Sequence, residues 1–187
     1  MIKLLFMSGS SRVGSANWRL VGAAAELAKR RYGDRIETTI VNLGELEIPP
    51  FDPALADGEP LPAAVAALRA EVAGCDAMFM SSDEYSGTYS ALFRNAAAWL
   101  TRDIDGSGNL LEDKPVALCG VVLGGVGGLR GHPALHQFLV ELGAEVHSQK
   151  LDLGTAASPF APDGGLLPKV ERQLTGGALG SLMPETA

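Results

Sequence analysis

Five apolar runs of strand length recur along the chain, and the stretches between them return their apolar residues at helical spacing. The runs are IKLLFMS (2–8), IETTIVNL (36–43), DAMFMSS (76–82), PVALCGVV (115–122) and a shorter AEVHSQ (144–149). Several are continuous rather than alternating, as strands covered on both faces require. Residues 15–31 offer Ser15 as an N-cap, then Leu20, Val21, Ala24, Leu27 and Ala28 on one face. Residues 61–73 put Pro62 in a first turn and space Leu61, Val65, Leu68 and Val72 along one side. Residues 88–101 carry a third stripe, Tyr89, Leu92, Phe93, Ala96, Trp99 and Leu100. A fourth helix is predicted over 132–142, and a weaker fifth from Pro168, interrupted by Gly176 and Gly177. Strands alternating with helices predict one α/β domain over 1–187, a three-layer sandwich with a five-stranded parallel sheet. Ligands of such folds bind outside the carboxyl ends of the strands, where the strand order reverses. The loops after strands one, three and four are therefore where chemistry is sought.

Composition narrows the classes. The 187 residues are 47% hydrophobic and 20% charged, which is globular rather than disordered. A formal net charge of -7 without any basic stripe argues against a nucleic-acid partner, whose affinity comes largely from phosphate neutralisation. Cys75 and Cys119 lie far apart and read as two free thiols of a reducing compartment. Neither a signal-peptide pattern nor an apolar run of roughly 20 residues is present, so a cytoplasmic protein with no membrane partner is expected.

The loop after strand one reads SGSSRVGSAN (8–17). It brings Ser8, Ser10, Ser11, Arg12, Ser15 and Asn17 to the start of the first helix. Free backbone N–H groups and the positive end of the helix dipole make that position an anion site. Hydroxyls and a guanidinium add donors suited to phosphate oxygens. Gly9 and Gly14 have P-loop spacing, but Ser15 stands where the lysine belongs. The dinucleotide GxGxxG is absent too, because Ser11 takes its second glycine position. A single phosphate wrapped by hydroxyl side chains remains, beside the alternative of an ordinary capped loop.

Three stretches together carry a family resemblance. GSSRVGSAN resembles the GSxRxxSxN loop of the NADPH-dependent FMN reductases. EYSGTYSALFRNAAAWLTR (84–102), after strand three, resembles their PEYN-x-S-x-P-G-x-LKNAIDWLSR signature. GGVGGLR (124–130), after strand four, is similar to their glycine-rich turn. The matches fall in order at all three predicted ligand loops and span about 2–150. The resemblance implies a flavodoxin-like fold of strand order 2-1-3-4-5, bound FMN, and NADPH or NADH as electron donor. The acceptor it implies is a small molecule such as a quinone, free flavin, azo compound or chromate. It places Ser10, Arg12, Ser15 and Asn17 at the FMN phosphate, with Ala16 beside them. Asp83, Glu84, Tyr85, Ser86 and Gly87 would line the flavin ring from one side, and Val121, Val122 and Gly124 from the other. No catalytic side chain is implied, since hydride transfer between nicotinamide and flavin asks for stacking rather than an acid or base. The resemblance further implies a homodimer or homotetramer, with Trp99 of helix three as an interface element.

The chain departs from that pattern at several positions. Asp83 replaces a proline, Ser86 an asparagine, Ser90 a second proline and Ala98 an aspartate, while Arg94 stands for lysine. Val121 and Val122 fall where many members have small hydroxyl residues. A carboxylate at 83 beside the ring would disfavour anionic reduced flavin by about a kcal/mol or more. A lowered flavin potential, a weakened FMN affinity or both are expected. A flavodoxin-fold ligand-binding or regulatory protein without efficient turnover is the alternative reading, and an electron-carrier flavodoxin ranks below it. DIDGSGNLLEDK (103–114) has the outline of a calcium loop, but Lys114 stands at position twelve, where the bidentate glutamate belongs. His132 and His136 lie four apart without the HExxH glutamate, so no metal is predicted.

Overall fold

The computed structural model describes residues 1–56, 60–104, 106–121, 130–151 and 158–183. Five strands, β1 (Ile2–Ser8), β2 (Ile36–Asn42), β3 (Ala77–Ser81), β4 (Pro115–Gly120) and β5 (Glu145–Lys150), form one sheet. All pairings are parallel, and the order is β2-β1-β3-β4-β5. The order reverses between β1 and β3, whose carboxyl ends pair Ser8 with Ser81.

Because successive side chains alternate across a strand, each continuous apolar run feeds two cores at once. Leu4, Phe6, Phe79, Ala117 and Cys119 face the helices α1 (Ala16–Tyr32) and α5 (Pro168–Gly176). Leu5, Met7, Met78, Met80, Val116 and Leu118 face α2 (Ala63–Gly74), α3 (Ala91–Leu100) and α4 (Gly131–Glu141). Each fully buried Leu, Phe, Met or Val among them contributes about 1.5–3 kcal/mol. The three-layer flavodoxin-like sandwich expected from the sequence is therefore present, with element ends displaced by one to three residues.

Two expectations are corrected. Residues 88 and 89 do not begin a helix. Glu84–Tyr85 pairs antiparallel with Thr88–Tyr89, and α3 starts only at Ala91, with Ser90 at its N-cap position. Ser86 and Gly87 have φ of 52° and 78°, so the two central residues of this hairpin turn are both left-handed. That backbone matches the twist of the flanking strands and ends any helical reading at Gly87. Trp99, expected at a subunit interface, is fully buried within the chain. Its ring packs edge-on against Phe51 at 5.0 Å, and its Nε1–H donates to the Pro49 carbonyl at 3.0 Å. Asn95 fixes the same loop, accepting from the Phe51 N–H and donating to the Pro49 carbonyl. Residues 48–53, IPPFDP, thereby cover Trp99.

Candidate functional site

Loop one is tied to β3 by the Gly9 N–H, which donates to the Ser81 carbonyl at 2.9 Å. Gly9 has no alternative there, since a Cβ would lie 2.2 Å from the Phe93 ring. The loop then turns back through Gly14, at φ 72°, and delivers Ser15 to the N-cap of α1. The Ser15 hydroxyl accepts from the backbone N–H groups of Asn17 (3.1 Å) and Trp18 (3.3 Å). Two otherwise unpaired donors of the helix end are satisfied in this way.

Asp83 stands at the centre of the cluster and is 4% exposed. Its Oδ1 accepts from the Ser15 hydroxyl at 2.9 Å and from the Asn17 amide at 2.6 Å. Its Oδ2 accepts from the Ser10 hydroxyl and, at 3.0 Å, from the Tyr85 phenol. Burial pushes the Asp83 carboxyl up, but the bonds from Ser10, Asn17, Ser15 and Tyr85 together outweigh it and hold the group below its ordinary value. The carboxylate is thus an ionised, fully bonded anion at the start of α1.

Asn17 joins three loops. Its Nδ2 donates to Asp83 and, at 3.1 Å, to the Val121 carbonyl. Its Oδ1 accepts from the Ser81 hydroxyl at 2.8 Å and from the Val121 N–H at 2.9 Å. One buried amide therefore binds the carboxyl ends of β3 and β4 to the first turn of α1. The hairpin after Asp83 leans on α4: the Gly131 N–H donates to Glu84 Oε2 at 3.0 Å, and Tyr89 stacks on Phe138 at 5.1 Å.

The structure brings Ser10, Ser15, Asn17, Asp83 and Tyr85 into one cluster, with Val121 bonded to it through its backbone. Ala16 is the buried first residue of α1. Arg12 is exposed, and its backbone N–H donates to the Ser10 hydroxyl at 3.3 Å. Glu84 turns to α4, while exposed Ser86 and half-buried Gly87 form the tip of the hairpin. Val122 and Gly124 lie outside the described residues. Sequence reasoning missed Ser81 and Gly131. Ser81 was signalled only by being the last residue of a strand at the order reversal. Asp83 was expected beside a flavin ring, whereas its carboxylate lies among the donors of loop one. The departure from proline thus acts on the anion site.

Both cysteines are buried away from this cluster, and burial pushes Cys75 up to about 11 and Cys119 to about 12. Among the described residues no group of three or more His, Cys, Asp or Glu side chains is placed to hold a metal ion. No described helix is long and apolar enough to cross a membrane.

A parallel sheet of order 2-1-3-4-5 with a hydroxyl-rich loop at its reversal point defines a flavodoxin-like α/β protein built around an anion seat. The family profile of NADPH-dependent FMN reductases matches residues 2–157, and the chain belongs to this family of oxidoreductases, which work with FMN and a nicotinamide electron donor. It is 29% identical over 177 residues to a probable NADPH:quinone oxidoreductase 2 of Oryza sativa subsp. japonica, covering 92% of this chain and 83% of that protein. It is 28% identical over 153 residues to a quinone reductase of Escherichia coli (strain K12), covering 82% and 77%. Among solved structures, FerB, a flavoenzyme NAD(P)H:(acceptor) oxidoreductase from Paracoccus denitrificans, superposes with a TM-score of 0.74 at 24% identity, over 97% of this chain and 96% of that one.

The donor set fits a phosphate group: two hydroxyls and an amide converge at a helix N-terminus, the position that favours negative charge. The same donors already hold an anion, Asp83.

Proposed function

We propose that the protein is an FMN-dependent NAD(P)H oxidoreductase whose acceptor is a quinone-type small molecule. The observation that carries this reading is the convergence of Ser10, Ser15 and Asn17 on one anion at the first turn of α1. Bound there, FMN supplies the capacity to take a hydride from a nicotinamide and pass two electrons on. The chain's own contribution is to bind and orient. Ser10, Arg12, Ser15 and Asn17 hold the phosphate end, with Ala16 at the helix start. Asp83 stands among those phosphate-end donors, while Glu84, Tyr85, Ser86 and Gly87 border the flavin on the β3 side, and Val121, Val122 and Gly124 on the β4 side. Tyr85, held by its phenol to Asp83, fixes the hairpin that frames that border. Names of relatives support a quinone as acceptor over an azo compound, chromate or free flavin. The reading includes a cytoplasmic homodimer or homotetramer.

Steady-state rates measured over a grid of NADPH and benzoquinone concentrations test it. Parallel double-reciprocal lines, which require donor and acceptor to use one site in turn, are expected. No FMN-dependent NADPH oxidation with any quinone would leave the ligand-binding alternative in its place.

A further inference from the structure

Four hydrogen bonds reach the two oxygens of Asp83, from Ser10, Ser15, Asn17 and Tyr85. A carboxylate offers about four lone-pair sites, so its capacity is filled. Three of those donors, Ser10, Ser15 and Asn17, belong to the loop that the family motif assigns to the 5′-phosphate of FMN. A charged phosphate brought to the same donors meets an ionised carboxylate in a site where that carboxylate is 4% exposed. Two anions at hydrogen-bonding distance from the same donors repel strongly, because little water remains to screen them.

We propose that the Asp83 carboxylate is a built-in occupant of the phosphate seat, which makes Asp83 the residue that sets how the site distinguishes FMN from its phosphate-free counterpart, riboflavin. This rests on the flavin reading above and deepens it. FMN enters only by exchanging one anion for another, so its phosphate adds little net affinity. Riboflavin ends in a neutral hydroxyl, leaves Asp83 in place and loses nothing. Flavins are then held mainly by the loops around their ring, and FMN binds as a readily exchanged ligand. Among the described residues no basic side chain forms an ion pair with Asp83.

Dissociation constants of FMN and riboflavin, from flavin fluorescence titrations at pH 7.5, test this on the wild type, Asp83→Asn and Asp83→Ala. Asparagine keeps the shape and removes the charge, whereas alanine vacates the seat. The wild type is expected to bind the two flavins within about threefold of each other. Either variant should bind FMN at least tenfold more tightly, with riboflavin changed by less than threefold. Inorganic phosphate at 50 mM should raise the melting temperature of the variants and leave the wild type unmoved, a readout that needs no flavin. A wild type that prefers FMN by a hundredfold, or folded variants that bind FMN no better than the wild type, would overturn the proposal. Failure of both flavins to bind any of the three folded proteins would overturn the flavin reading itself.

Discussion

Replacing Asn17 by alanine removes one side chain that serves three loops, and the cost can be worked from its bonds. Its amide donates 2.6 Å to an ionised carboxylate, a charge-assisted bond of about 1.5–3 kcal/mol. It also accepts from the Val121 N–H, and Val121 is 4% exposed, so water does not readily replace that partner. An orphaned buried donor costs about 1–3 kcal/mol. The Ser81 hydroxyl and the Val121 carbonyl each lose one bond as well. The total is about 3–5 kcal/mol, against a stability of about 5–15 kcal/mol for a domain of ordinary size. Urea unfolding at pH 7, followed by far-ultraviolet circular dichroism, should show the midpoint falling by about 1.5–2.5 M at an unchanged slope near 2 kcal/mol/M. In an Asp83→Asn background the same change should cost at least about 1 kcal/mol less, because the charge on that bond is gone. A loss below about 1 kcal/mol in the wild-type background would refute the claim that Asn17 is the tie between α1, β3 and β4.

Three further predictions come from the same region. Gly9→Ala should destabilise by about 1–3 kcal/mol in the same urea assay, because its Cβ would overlap Phe93 and the ring must shift in a packed core. Ser86→Gly should stabilise by about 0.5–1 kcal/mol, read as a rise in melting temperature, since the position has φ 52° and glycine accepts it freely. The acid dependence of stability should carry the mark of Asp83. Its folded carboxyl is held below the ordinary 3.8, so its contribution is complete above that pH and is lost as pH falls through the folded value. Urea midpoints measured from pH 6 down to pH 2 should therefore fall more steeply below pH 4 in the wild type than in Asp83→Asn.

The sheet was legible because burial on both faces leaves a plain signature. Runs such as LLFM in β1 and AMFM in β3 have no polar residue to interrupt them, and their alternation sorts them between two cores without further information. The hairpin was less legible. Tyr89 fits the helical stripe of α3 by spacing alone, and Ser-Gly is a weaker turn signal than Asn-Gly, so periodicity outweighed turn chemistry there. Trp99 shows the limit of an amphipathic stripe, which says that a face is covered but not by what. Its cover, Phe51 and Pro49, comes from a loop 50 residues away that the sequence alone could not dock. Asp83 was visible as a departure from the family pattern, and its direction was not. Whether that carboxylate faced a ring or a loop depended on where β1, β3 and β4 brought Ser10, Asn17 and Val121, which is a property of the assembled fold.

The flavin reading requires that the loop of residues 8–17 and the two facing it hold a flavin that a nicotinamide reduces. The most direct test mixes the purified protein with FMN, follows saturation by fluorescence, and then adds NADPH without oxygen while recording the flavin absorbance. Saturable binding is expected, with bleaching within seconds at a rate that rises with the fraction of flavin bound. Flavin that stays yellow while demonstrably bound would contradict it.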